Sequence, residues 1–94
     1  MPRRLIFRDH ATQRIMERGI RAIHIRQVVE YGEVIQTYPN DSPYSSRLIL
    51  GWIERRPLHV VAADDPNSAV TFIITVYEPS PILWEPGFKR RRRR

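Results

Sequence analysis

In the segment His10-Ala11-Thr12-Gln13-Arg14-Ile15-Met16-Glu17-Arg18-Gly19-Ile20, an imidazole and two guanidiniums recur every four residues. At helical spacing His10, Arg14 and Arg18 drift by roughly 40° per step and form one ridge. Such a ridge sets a group that titrates near neutrality beside planar forks that donate two parallel hydrogen bonds to a phosphate. RNA strand scission by internal transphosphorylation needs that chemistry. A base takes the 2′-hydroxyl proton, cations stabilise charge on the phosphoryl oxygens, and an acid protonates the departing 5′-oxygen. Further candidates are Arg47 beside a polar loop, His59 on a strand face with Val61 and Ala63, and Thr75 and Tyr77 on the last apolar stretch. Each also has a plain structural reading. Arg14 and Arg18 suit surface ion pairs of little value, His10 a surface position, and Arg47 a solvated strand end. His59 suits a half-buried sheet position, and Thr75 and Tyr77 are ordinary strand formers.

Composition removes several alternatives. The chain has no cysteine, hence no disulfide framework and no thiolate zinc site. It has no phosphate-cradling glycine loop and no His-x-x-x-His pattern, and its three histidines, His10, His24 and His59, are scattered. We therefore expect neither a metal nor a cofactor. The basic N-terminus lacks the apolar run of a signal peptide, and no stretch approaches the roughly 20 apolar residues of a membrane span. The chain carries a formal charge of +6, yet residues 89–94 alone supply six cations. Residues 1–88 then hold ten arginines against ten acids. The expectation is a single α+β domain over residues 1–88 and a basic, disordered tail over 89–94. In that tail Lys89, Arg90, Arg91 and Arg92, together with Arg14 on the ridge, would attract RNA phosphates without sequence preference.

The elements that must position these residues follow from periodicity. Asp9 is a good N-cap and Gly19 a natural helix terminator. A second helix opens at Arg21 and Ala22 and runs to Tyr31, with Ile20, Ile23, Val28 and Tyr31 at core spacing and Gly32 closing it. The period then changes to two. Strands are expected over 34–38, 47–53, 58–63 and 70–78, separated by turns rich in proline, aspartate and asparagine. On the last strand, alternation puts Phe72, Ile74 and Val76 on one face and Thr71, Ile73, Thr75 and Tyr77 on the other. Leu5-Ile6-Phe7 reads as a short edge strand or a packed arm. Ile82, Leu83 and Trp84 read as a return onto the body, with order falling from Glu85 onward. The sum is two N-terminal helices on one face of an antiparallel sheet of about four strands, with the other face partly open as a binding surface.

The helix string His10-Ala11…Arg14-Ile15…Glu17-Arg18-Gly19-Ile20 and the closing strand Thr71-Phe72-Ile73-Ile74-Thr75-Val76-Tyr77 carry a family resemblance. Between them stand Arg47-Leu48-Ile49-Leu50-Gly51 and Pro57-Leu58-His59-Val60-Val61. Over roughly residues 5–84 the chain resembles a small uncharacterised prokaryotic family similar to the RelE/MqsR-type toxins of toxin–antitoxin systems. The resemblance implies a RelE-like fold and a cytoplasmic mRNA interferase, acting on RNA free or on the ribosome and neutralised by an antitoxin protein. It also implies a site of His10, Arg18, Arg47, His59, Thr75 and Tyr77. The alternative is a non-catalytic domain of the same fold that binds RNA or a protein partner through its open sheet face.

Overall fold

The computed structural model describes residues 3–93. Strand β1 (Arg4–Phe7) is followed by helices α1 (Asp9–Arg18) and α2 (Ala22–Tyr31), and then by β2 (Glu33–Tyr38), β3 (Ser46–Ile53), β4 (Arg56–Asp64) and β5 (Val70–Tyr77). The sheet has five strands in the order β1-β5-β4-β3-β2. Neighbours from β2 to β5 are antiparallel, but β1 runs parallel to β5, with Leu5 opposite Thr71 and Phe7 opposite Ile73. The expected sheet of about four antiparallel strands is therefore corrected to a mixed sheet of five. The N-terminal strand contributes an edge that no turn signal announces.

Helix α1 turns Ala11 and Ile15 inward, and Arg8 rather than Asp9 holds its N-cap position, without a side-chain cap. It ends because Gly19 takes φ 66°, a left-handed conformation that costs glycine nothing. The Gly19 and Ile20 amides both donate to the Ile15 carbonyl, which satisfies the helix end and tucks Ile20 into the core. Helix α2 buries Ile25 and Val28. It lies so close to β3 that a Cβ on Gly51 would overlap the Val28 side chain, so the position admits only hydrogen. Ile23 and Tyr31, expected in the core, are 57% and 83% exposed, because α2 turns Ile25 inward instead. Met16 of α1 is likewise exposed.

Ala11, Ile20, Ile25 and Val28 pack on Ile49, Leu58, Val60, Ala62, Ile73 and Val76 to form the core between helices and sheet. A bulge sets the faces of β5. Val61 pairs with Thr75 but Ala62 pairs with Ile73, leaving Ile74 as the extra residue. Strict alternation therefore fails: Ile73 and Val76 both enter the helix-side core, while Thr75 and Tyr77 share the opposite face with His59.

That opposite face, expected to be partly open, is open over its upper half only. Its lower half is covered by residues 79–93, which fold back as a strap. Within the strap Glu85 donates to the Arg90 carbonyl at 2.8 Å and Arg92 to that of Leu83 at 2.9 Å, around a bridge between Trp84 and Arg91. Residues 89–93, expected as a solvated arm, thus take part in a small hairpin; Arg94 lies outside the described residues. Among the described residues no helix is long and apolar enough to cross a membrane.

Candidate functional site

His59 is fully buried, with Leu50 opposite on β3 and Tyr77 opposite on β5. Its Nδ1 lies 3.1 Å from the Tyr77 hydroxyl and its Nε2 lies 2.8 Å from the Phe88 carbonyl oxygen. A carbonyl only accepts, so Nε2 carries the proton and donates to Phe88, while Nδ1 accepts from the Tyr77 phenol. This is the neutral tautomer. Burial holds the His59 pKa below its ordinary value, and the Phe88 hydrogen bond only partly offsets that. Burial likewise raises the Tyr77 pKa, reinforced by Tyr38 and opposed by Arg91, so the phenol keeps its proton. The pair is thus a neutral base whose lone pair accepts from a weak acid, the two already in contact.

The strap forms the roof. The Trp84 ring stands edge-on to His59 at 4.5 Å between centroids, and Phe88 meets Trp52 at 5.9 Å. Phe88 itself sits at φ 60°, a left-handed conformation that is strained for a bulky residue, and in that conformation its carbonyl reaches His59. Beyond the His59 bond, the strap is tied to the body by an exposed ion pair between Lys89 Nζ and Glu33 at 2.9 Å. Its backbone hydrogen bonds among the described residues are internal to residues 80–93. Arg91 lies over the Trp84 ring and Arg92 donates to the Pro81 carbonyl, whereas Arg90 is exposed.

The sequence candidates separate into three places. His59, Thr75 and Tyr77 share the strap-side face. Arg47 lies on the helix side, where it pairs with Asp64 at 3.3 Å in a cluster completed by Arg3 and the buried Thr71. His10, Arg14 and Arg18 are exposed on α1, and the sheet stands between that helix and His59. The Arg18 carbonyl accepts from Arg56, which also pairs with Glu78. The structure therefore does not bring His10, Arg18 or Arg47 to the His59–Tyr77 pair. It adds Trp84 and Phe88: of the expected return of Ile82, Leu83 and Trp84 onto the body only Trp84 is buried, Ile82 and Leu83 being exposed, and Phe88 lies in the segment expected to lose order. Among the described residues, no three histidine, aspartate or glutamate side chains converge as metal ligands.

No curated protein and no solved structure matches the chain significantly. A family model does match, over residues 7–78, from the end of β1 to just past β5. That span holds His59 and Tyr77 and stops short of the strap. The chain belongs to the family described as a domain of unknown function, DUF4258.

Proposed function

We propose that this domain is a metal-free endoribonuclease, a toxin-type mRNA interferase in a shut state, with His59 and Tyr77 as its acid–base pair. The observation that carries the reading is the contact between a neutral imidazole and a protonated phenol on one sheet face. With the strap lifted, His59 Nδ1 takes the proton of an RNA 2′-hydroxyl. The 2′-oxygen attacks phosphorus, the bond to the 5′-oxygen breaks, and that oxygen leaves with a proton from Tyr77. The products are a 2′,3′-cyclic phosphate and a free 5′-hydroxyl. Thr75 lines the same face, and the lifted strap carries Lys89, Arg90, Arg91 and Arg92 to the phosphate backbone. A cytoplasmic setting and an antitoxin protein that keeps the strap closed belong to this proposal.

One observation favours a second reading, a domain of the same fold that binds RNA or a partner without cutting. Both ring nitrogens of His59 are already satisfied inside the protein, as a structural histidine requires. RNA cleavage by the purified chain carrying Trp84→Ala, which loosens the strap, separates the two. The first reading expects cyclic phosphate ends that disappear in His59→Gln and fall about a hundredfold in Tyr77→Phe, the lower end of what general acid–base catalysis supplies. Cleavage that survives His59→Gln would sink it, and binding without cleavage would favour the second.

A further inference from the structure

The upper half of the strap-side face carries a second feature that neither the His59–Tyr77 pair nor the helix ridge uses. Ser46, Ala63 and Phe72 stand in register across β3, β4 and β5. Ala63 is small enough for the loop between β2 and β3 to lay Tyr44 across it. The Tyr44 and Phe72 rings are stacked, with centroids 5.8 Å apart and planes within 9°. From the other side Arg8, at the junction of β1 and α1, places its guanidinium 5.9 Å from the Phe72 ring centroid. Its side chain has no acidic partner among the described residues, although this body is otherwise balanced in charge. Ile74, the bulged residue, helps to line the cleft, and its volume is about 440 Å³. Asp41, held by the Ser46 hydroxyl, and Ser42 supply polar groups at the rim.

We infer that the Arg8–Tyr44–Phe72 cleft binds one base of a single-stranded RNA. The Tyr44 ring, backed by the parallel Phe72 ring, offers a flat apolar face on which any base stacks, and an arginine with no acidic partner among the described residues suits the adjoining phosphate or the base face. A flat ring face beside a guanidinium rewards a planar base carrying a phosphate more than a peptide or lipid chain. Ala63 and His59 lie four residues apart on one face of β4, about 13 Å along the strand. A strand of RNA anchored in the cleft therefore runs toward the His59–Tyr77 pair. The inference rests on the RNA reading above but not on cleavage.

The test uses the full chain and a short, labelled single-stranded oligoribonucleotide carrying photoreactive thiouridine. Binding is followed by anisotropy at low and moderate salt, and crosslinked peptides are mapped. The expected result is crosslinking to residues 41–44 or 72–74. Tyr44→Ala should weaken binding about tenfold at both salt concentrations, because stacking does not depend on counterion release. Phe72→Leu, which preserves apolar volume, should weaken it similarly, and Arg8→Gln should reduce the salt slope by about one contact. Crosslinks confined to residues 89–93, with unchanged affinity in Tyr44→Ala, would overturn the cleft while leaving RNA binding in place. No binding by the wild type would overturn both.

Discussion

The two halves of the strap-side sheet face are built from the same strands and differ in what lies on them. In the lower half the strap covers His59 with Trp84, and the ring nitrogens are satisfied by the Phe88 carbonyl and the Tyr77 hydroxyl. In the upper half Tyr44, Phe72 and Ile74 stay half-exposed beside Arg8, which has no acidic partner among the described residues. The half with acid–base chemistry is closed, and the half suited to a base is open. On the proposed reading, a surface divided in this way would hold RNA before acting on it, and movement of the strap would control the chemistry.

The largest expected effect comes from Trp84→Ala, which makes the lower half resemble the upper. Removing a buried tryptophan costs up to about 3–5 kcal/mol where the cavity cannot collapse. Here the loss should fall mainly on the strap. Histidine-selective acylation read by mass spectrometry should then modify His59 as readily as the exposed His10, whereas in the wild type it should spare His59. Gly51→Ala is the control on the other face of the sheet. Its methyl group would meet Val28 and cost about 1–3 kcal/mol in chemical denaturation, with His59 still protected.

Acid should act on the closed half through His59. The folded-state pKa of His59 is lowered, so between that value and the unfolded value near 6.5 the unfolded chain binds more protons. Stability from this group is complete above about pH 6.5 and declines as the pH falls below it, levelling off beneath the folded-state pKa. Urea midpoints across that range should show the decline in the wild type and lose this component in His59→Gln. The smallest effects belong to His10→Ala and Arg18→Ala. Both side chains are exposed on α1, so stability should change by less than about 0.5 kcal/mol. Any RNA cleavage should also be nearly unchanged, and a large loss of cleavage in either variant would return the helix ridge to the site.

Much of the scaffold was legible in the sequence. Gly19 marked the end of α1 because a left-handed residue was needed there, and the change of period at Glu33 located the sheet. The parallel pairing of β1 with β5 was not legible, because Leu5 and Thr71 are joined by no local turn. Nor was the bulge at Ile74, since an apolar run such as Phe72-Ile73-Ile74-Thr75-Val76 reads as plain alternation whichever residue is extra. For the candidate site, the sequence placed Thr75 and Tyr77 opposite a core face, and His59 on a sheet face, but could not show that His59 and Tyr77 touch. It set His10 and Arg18 beside them only through the resemblance, and the sheet separates them. The strap was obscured by its composition. Six terminal cations read as a solvated arm, yet Trp84 buries itself against His59 and Phe88 packs on Trp52.

The central claim is that His59 is an acid–base group held shut by the strap. The direct measurement is the rate of appearance of 2′,3′-cyclic phosphate ends on single-stranded RNA for Trp84→Ala and for Trp84→Ala combined with His59→Gln. The account predicts that the first cleaves faster than the wild type and that the second loses at least about a hundredfold, the scale of a missing general base. Equal rates for the two variants would contradict it.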